Sequence, residues 1–325
     1  MITRRNDGTL AAAGSNMDHH SRSELNITFS REPDRIVAVH GNKVHSFDHG
    51  GEHRHERTIA AFGEEWKKFS TLTEEDIRVA GDEYFDIVPA VLLGPGTIVL
   101  DLGCGNGRWS RYLSPKVGRI EAIDPSDAIF SAAATHSDLP NVRWSQAGVE
   151  AIPFADDAFD LVVCLGVLHH VPDTAEALHK MVRKVKPGGH VLIYLYYALE
   201  NRGFIYRSLF SITEVLRKLV QALPGPIKRT VAEVIAFTVY LPLRSFARAA
   251  RAIDRKARWW RKLPLSYYHN KSMRILRNDA LDRFGTPLGQ RFTKERIEAM
   301  MTAAGLIDLQ FSPNAPFWHV LGRKR

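Results

Sequence analysis

From Gly96 onward, short aliphatic and β-branched runs alternate with longer segments of helical period, the pattern of a parallel sheet whose strands are joined by crossover helices. The runs TIVLDL (97–102), RIEAID (119–124), NVRWSQ (141–146), FDLVVCL (159–165) and HVLIYLYY (190–197) predict five strands. After a long interruption, a helix over 293–304 followed by LIDLQF and FWHVLGR predicts a closing antiparallel pair. Upstream, ITF, RIVAVH and KVHSF within residues 27–55 predict two or three short strands in a minor appendage. Residues 56–95 have a helical period and carry Trp66, Phe69, Tyr84 and Phe85 just ahead of the first long strand, placed to lid a ligand. Residues 1–26 are polar, small and without period, and read as a mobile tail.

The most informative chemistry lies where the first long strand ends. Val-Leu-Asp-Leu-Gly-Cys-Gly-Asn-Gly-Arg-Trp-Ser runs from a strand through Gly103, Cys104, Gly105 and Gly107 into a helix. Glycines there permit a left-handed turn and the close approach of backbone to a ligand. A second acid, Asp124, ends the next strand 23 residues after Asp101, where a carboxylate can accept hydrogen bonds from two ribose hydroxyls. Together these features point to an adenosine-containing cofactor. A dinucleotide is the nearest rival, since Gly105 to Ser110 lies one substitution from G-x-G-x-x-G.

The ordered motifs D-L-G-C-G-N-G-R, I-D-P-S, I-P-F-A-D-D-A-F-D, L-H-H-V-P-D and V-K-P-G-G, spread over roughly 96–197, resemble the class I S-adenosylmethionine-dependent methyltransferases, including the ubiquinone and menaquinone biosynthesis enzymes. The resemblance implies a Rossmann-like α/β fold: a seven-stranded mixed sheet with one antiparallel strand, helices on both faces, and here a large helical insertion before the last two strands. It implies a core over 96–199 completed by 292–325. It also implies that Asp101 and Gly103 hold the methionine end of S-adenosyl-L-methionine, that Asp124 binds the ribose, and that Leu165 lies beside the cofactor. Where similar enzymes carry an acid for the adenine amino group, this chain has Gly148, leaving the backbone at Gly148 and Val149 to bind the adenine edge. Somewhat weaker cofactor binding is the expected consequence.

Methyl transfer from a sulfonium is an in-line displacement that needs alignment and, for some acceptors, a base. No metal is required. Candidate bases are His169 and His170 after the fourth strand, Tyr196 and Tyr197 after the fifth, and His269. His40, His45, His49, His53 and His55 are scattered through a polar segment without cysteine partners, the pattern of a solvated loop and not of a metal site.

Charge redirects attention to the insertion, residues 200–291. The chain carries a net charge of +8, yet Glu200 to Lys262 alone holds 14 Lys and Arg against 4 Asp and Glu, a net of +10 that leaves −2 for the remainder. Ile205, Leu209, Ile212, Leu216, Leu219 and Leu223 recur at steps of four and three, predicting an apolar stripe on one helix. A second helix over 243–262 sets Leu243, Phe246, Ala250, Ile253, Ala257 and Trp260 on one face, with Arg244, Arg248, Arg251, Arg255, Arg258 and Lys262 on the other. Such a helix either packs on the core with solvated arginines or lies in an anionic membrane surface, which would suit a lipid-linked acceptor. Nucleic acid is disfavoured, because regular apolar stripes suit lipid better than a phosphate track. Farther on, Arg277, Asp279, Asp282 and Arg283 either reach an acceptor pocket or pair with one another.

The two cysteines, Cys104 and Cys164, lack metal or disulfide spacing. With no signal-like N-terminus and no run of roughly 18 apolar residues, a cytoplasmic enzyme is expected, peripheral at the inner membrane face if the insertion binds lipid. The reading is therefore metal-independent methyl transfer to a small-molecule or lipid-linked acceptor. The alternatives are an RNA-directed methyltransferase using the basic insertion, or a non-catalytic, membrane-associated cofactor binder.

Overall fold

Five consecutive buried residues form strand β3 (Ile98–Leu102), a run that only a sheet covered on both faces accommodates. In the computed structural model, which describes residues 25, 27–47, 72–200, 203–254, 259–285, 289–316 and 318–325, β3 is flanked by β4 (Arg119–Asp124) and β6 (Phe159–Leu165), both parallel to it. Strand β5 (Val142–Gln146) pairs parallel with β4, and β7 (Val185–Tyr194) parallel with β6. Strand β9 (His319–Lys324) runs antiparallel to β7, and β8 (Leu306–Phe311) antiparallel to β9.

These seven strands match the expected core, but the sheet has nine among the described residues, in the order β1-β2-β5-β4-β3-β6-β7-β9-β8. The hairpin of β1 (Arg35–Val39) and β2 (Asn42–Ser46) is no separate appendage. It continues the sheet because β5 would otherwise expose an unpaired edge. Val44 aligns with Trp144 in parallel register, and Val44 and Phe47 are buried there. Residues 1–24 and 48–71, which include the tail, Trp66, Phe69, His49, His53 and His55, lie outside the described residues.

The alternation of strand side chains builds two cores. Leu100, Leu102, Val162, Cys164 and Ile193 face one layer, with Leu178 and Met181 of helix α4 (Thr174–Lys184). Val99, Ile120, Ala122, Leu161 and Val163 face the other, with Trp109 of α2 (Arg108–Leu113) and Ile129 of α3 (Ala128–Thr135). Helix α1 (Glu74–Tyr84) starts at a capping box, Thr73 Oγ1 accepting from Asp76 N, and its end brings Tyr84 and Phe85 against Trp109.

The insertion folds around a third core of Val220, Ile235, Tyr240, Tyr268, Leu276 and Phe284. It comprises α5 (Phe204–Gln221), α6 (Gly225–Ile235), a π-helical turn (Ala236–Tyr240) leading without a break into α7 (Leu241–Ile253), and α8 (Met273–Gly285). Two expectations change. The second amphipathic helix ends at Ile253, not at 262; Arg255, Ala257 and Arg258 lie outside the described residues, and Trp259–Lys262 form a 3-10 turn. Moreover, Thr230–Ile253 is by length and composition a stretch long and apolar enough to cross a membrane, which counting uninterrupted apolar residues overlooked. Helix α9 (Lys294–Ala303), capped by Thr293, returns the chain to β8.

Candidate functional site

The chain leaves β3 outward to β4 and β5 in one direction and to β6 and β7 in the other. The C-terminal edge between β3 and β6 is thus a topological switch point, where flanking loops diverge and open a crevice. Asp101, Asp124 and Leu165 all lie at that edge.

Asp101 is 1% exposed. Its Oδ2 accepts from Ser110 Oγ at 2.7 Å, while Oδ1 has no hydrogen-bond partner among the described residues. Burial pushes its carboxyl up to about 7 against the Ser110 hydrogen bond, and the charge of Asp124 adds to the rise. A buried carboxylate with an idle oxygen calls for a cationic partner.

The glycine loop is held over it. Gly103 N and Cys104 N both donate to Ile123 O, and Gly105 N donates to Asp124 Oδ2 at 2.9 Å. Gly103 has φ +75° and packs so tightly that a Cβ would come within 2.4 Å of Val167 Cγ2. Gly107, at φ +79°, has the same constraint against Trp144 and His136. These two glycines therefore fit the loop to its own fold as much as to a ligand. Cys104 is buried, and desolvation raises its thiol well above the ordinary range.

Asp124 does more locally than its sequence position indicates. Its Oδ1 accepts from both the backbone N and the Oγ of Ser126, at 2.9 and 2.6 Å. With Gly105 N on Oδ2, the carboxylate ties two loops together at the strand end. Gly148 and Val149 open a 3-10 turn after β5, and a Cβ on Gly148 would sit 3.6 Å from Pro125, beside Asp124. The three segments thus line one end of the crevice.

At the other end, Gly166 leaves β6 with φ +84° and donates to Tyr194 O. The following 3-10 turn, Leu168–His170, carries both histidines. His169 is 0% exposed, and its ring stacks on Tyr196 with centroids 3.7 Å apart. Neither of its ring nitrogens completes a hydrogen bond among the described residues. Burial, followed by repulsion from His170 and Arg291, holds it well below the usual imidazole range, so it is neutral at pH 7. His170, 6% exposed, packs 4.1 Å from His169. Gln290 clamps this turn, its backbone N donating to His169 O and its Nε2 to Val171 O.

The remaining candidate bases fall elsewhere. His269 sits on the insertion between Arg251 and Trp260, and Tyr197 packs toward Trp318. The His45 ring lies tilted against Phe29, its Nδ1 within 3.4 Å of Trp144 O, and His40 occupies a turn. Of the charged set in α8, Arg277 pairs with Glu233, Asp279 accepts from Tyr268 Oη, and Arg283 is half-buried. None of these three pairs with another, and the Asp282 side chain lies outside the described residues.

Sequence reading missed the groups that join insertion, cap and sheet. Lys271, 1% exposed at its side chain, pairs with Glu83 of α1. His319, opposite Tyr194 on β9, hydrogen-bonds Asp86 Oδ1 at 2.8 Å and Pro316 O at 2.7 Å. Burial favours a raised Asp86 carboxyl, but hydrogen bonds from Asn314, His319 and Ser312 hold it below its ordinary value. No local motif announces these pairs, whose members lie 188 and 233 residues apart.

Residues 100–193 match the family described as Methyltransferase domain. A ubiquinone biosynthesis O-methyltransferase of Alkalilimnicola ehrlichii is 39% identical over 100 residues, 30% of this chain and 40% of that protein. An uncharacterized methyltransferase, YcgJ of Bacillus subtilis, is 32% identical over 32% of this chain and 42% of its own length. The chain therefore spans less than half the length of these two relatives. It covers more of a ubiquinone biosynthesis O-methyltransferase of Pseudomonas fluorescens, 31% identical over 49% of this chain and 75% of that protein. With a glycine loop between two strand-end acids at the switch point of the sheet, and this coverage of a relative at 31% identity, the chain belongs to the class I S-adenosylmethionine-dependent methyltransferases.

Proposed function

We propose that the enzyme methylates a lipid-soluble small molecule seated between the C-terminal edge of the sheet and the helical insertion. The idle, buried Oδ1 of Asp101 carries the cofactor half of this reading, because it fits the α-ammonium of S-adenosylmethionine. Asp124 would accept from the ribose hydroxyls, the backbone at Gly148 and Val149 would meet the adenine edge, and Gly103, Cys104, Gly105, Gly107 and Leu165 would line the path between them. The cofactor supplies an electrophilic methyl group on sulfur. The chain's residues align the acceptor, exclude water and receive its proton. We assign the proton to His170, with His169 as a positioning residue behind Tyr196, since His169 has no exposed surface.

The acceptor half rests on the insertion. Phe204, Val215, Leu216 and Leu219 of α5, Val234 of α6, Phe237 of the π turn, and Phe246 and Ile253 of α7 are all exposed, the last two at 55% and 86%. Arg248 and Arg251 are exposed beside them. Apolar and cationic groups together suit an anionic bilayer surface, where a lipid-linked acceptor would be met. The printed names of two relatives, ubiquinone biosynthesis O-methyltransferases, favour a hydroxyl acceptor. The test is incubation of the protein with methyl-labelled cofactor and fractionated cell extract. Label in an organic-soluble product supports the proposal, whereas label confined to RNA or protein overturns it.

A further inference from the structure

The insertion rejoins the sheet through Gln290, Arg291 and Phe292, and each of these residues holds a loop of the acceptor side. Gln290 donates from its backbone N to His169 O at 2.9 Å and from Nε2 to Val171 O at 2.7 Å, on the turn after β6. Phe292 lies in parallel register with Tyr197, donating to Tyr196 O at 2.8 Å and accepting from Ala198 N at 2.9 Å. The Phe292 bonds fix the backbone of the chain leaving β7, and the direction of the Tyr196 ring is left to side-chain contacts.

Arg291 supplies such a contact, and it does so from the insertion. Its guanidinium lies over the Tyr196 ring, 5.4 Å from the centroid, and over the Phe210 ring of α5 at 4.3 Å. Nη1 donates to Tyr197 O at 3.2 Å, and Nη2 lies 3.5 Å from Glu214 Oε1, an acid of α5 whose other oxygen holds Arg217. An acid and a ring of the insertion thus meet a carbonyl and a ring of the acceptor side at one half-buried cation. An apolar side chain of the same length would fill the space between the two rings without the desolvation that lowers the pKa of Arg291. It would not bind Glu214 and the Tyr197 carbonyl as well, which takes the fan of donors on a planar guanidinium.

We propose that Arg291 is a positioning residue for methyl transfer: it fixes the Tyr196 ring, on which His169 stacks beside His170, and so makes the acceptor-side geometry depend on the docked insertion. A misplacement of about 1 Å at a reacting group costs on the order of 100-fold in rate, so a residue acting through Tyr196 can still govern the reaction. This proposal rests on the methyltransferase reading and on the assignment of the acceptor's proton to His170.

The experiment uses the intact protein, carrying isotope-labelled histidine and saturated with S-adenosylhomocysteine. A ring proton held over the face of Tyr196 resonates upfield, and the signal missing from His169→Phe identifies it by NMR. Arg291→Met should move that signal back toward the position of free histidine. It should also slow label transfer from methyl-labelled cofactor to the organic-soluble product of fractionated extract by about tenfold to 100-fold. Arg291→Lys, which keeps a cation beside Glu214, should retain part of both properties. Arg277→Met, which breaks the Glu233 pair elsewhere in the insertion, should change neither. S-adenosylhomocysteine affinity should be unchanged in all three. A signal that Arg291→Met leaves in place, one that Arg277→Met moves equally, or one that moves with no loss of rate overturns the proposal. If Arg291→Met does not fold, Glu214→Gln decides: a partial shift is expected, and an unmoved signal overturns it. Absence of labelled product with the unmodified protein would instead strike the acceptor reading, while the NMR signal still decides whether Arg291 fixes the ring.

Discussion

The ring of His169 lies on that of Tyr196 with centroids 3.7 Å apart and planes 24° from parallel. The contact joins the turn after β6 to the chain leaving β7. It also explains why a fully buried histidine is tolerated without hydrogen-bond partners among the described residues: it is neutral and packs as an aromatic ring.

That geometry separates the two histidines by experiment. His169→Phe keeps the stack and should leave kcat within about fivefold, since only packing is at stake, whereas His170→Gln should lower kcat by roughly 100-fold or more, the usual weight of a general base. Both should bind S-adenosylhomocysteine normally by calorimetry. Equal losses from the two variants would remove the distinction.

Asp101, in its proposed role on the α-ammonium, should make cofactor binding depend on pH. With its carboxyl pushed up to about 7, the ligand-free protein is protonated there below neutrality, and a cationic α-ammonium binds the ionised form. S-adenosylhomocysteine affinity should rise as pH increases from 6 to 8 and then level off. Asp101→Asn should bind weakly with little pH dependence. Because the folded pKa lies above the unfolded value of about 3.9, this group favours the folded state less as pH rises between the two, so without ligand Asp101→Asn should gain relative stability toward pH 8. Thermal melts across that range check the sign.

Gly103→Ala should destabilise the protein by about 1–3 kcal/mol, since it adds a Cβ in a left-handed turn and an overpacked contact with Val167. Val167→Ala in the same chain should recover the packing part and leave the backbone part. A double-mutant cycle in urea with no coupling would show that Val167 is not the obstacle.

Asp124→Asn should weaken S-adenosylhomocysteine binding and also lower the melting temperature. The substituted amide keeps one acceptor oxygen, whereas the carboxylate holds Gly105 N, Ser126 N and Ser126 Oγ with two. Binding of NAD in place of S-adenosylhomocysteine by the unmodified protein would contradict the assignment.

On vesicles containing anionic lipid, Phe237→Ser with Phe246→Ser should reduce binding at every salt concentration, because apolar burial is little screened. Arg248→Gln with Arg251→Gln should reduce it chiefly at low salt. Trp260, 8% exposed, is a poor probe of this surface, and Trp259, at 45%, is the better one. Failure of the unmodified protein to sediment with such vesicles would favour a soluble acceptor.

Much of the core was readable along the chain because its signals are local. Phe159–Leu165 and Leu306–Phe311 form strands over the very residues their apolar runs mark, and Thr293 caps α9 as its position before the helical run requires. The insertion was less readable. Periodicity assigned Phe246, Ala250, Ile253 and Trp260 to one apolar face, yet Ala250 and Trp260 are buried while Phe246 and Ile253 are exposed. A repeat of four and three identifies a face, but not which part of it a neighbouring helix covers.

The sequence by itself determined the glycine turn, the two strand-end acids and the α/β order, since φ preferences, alternation and strand ends depend on neighbours in the chain. Tertiary structure decided what no neighbour encodes. It fused the β1–β2 hairpin to the sheet by burying Val44 and Phe47, buried Asp101 deeply enough to raise its carboxyl, and joined Lys271 to Glu83 and His319 to Asp86. Burial and charge balance are sums over everything that surrounds a group, and residues far apart in sequence supply most of each sum.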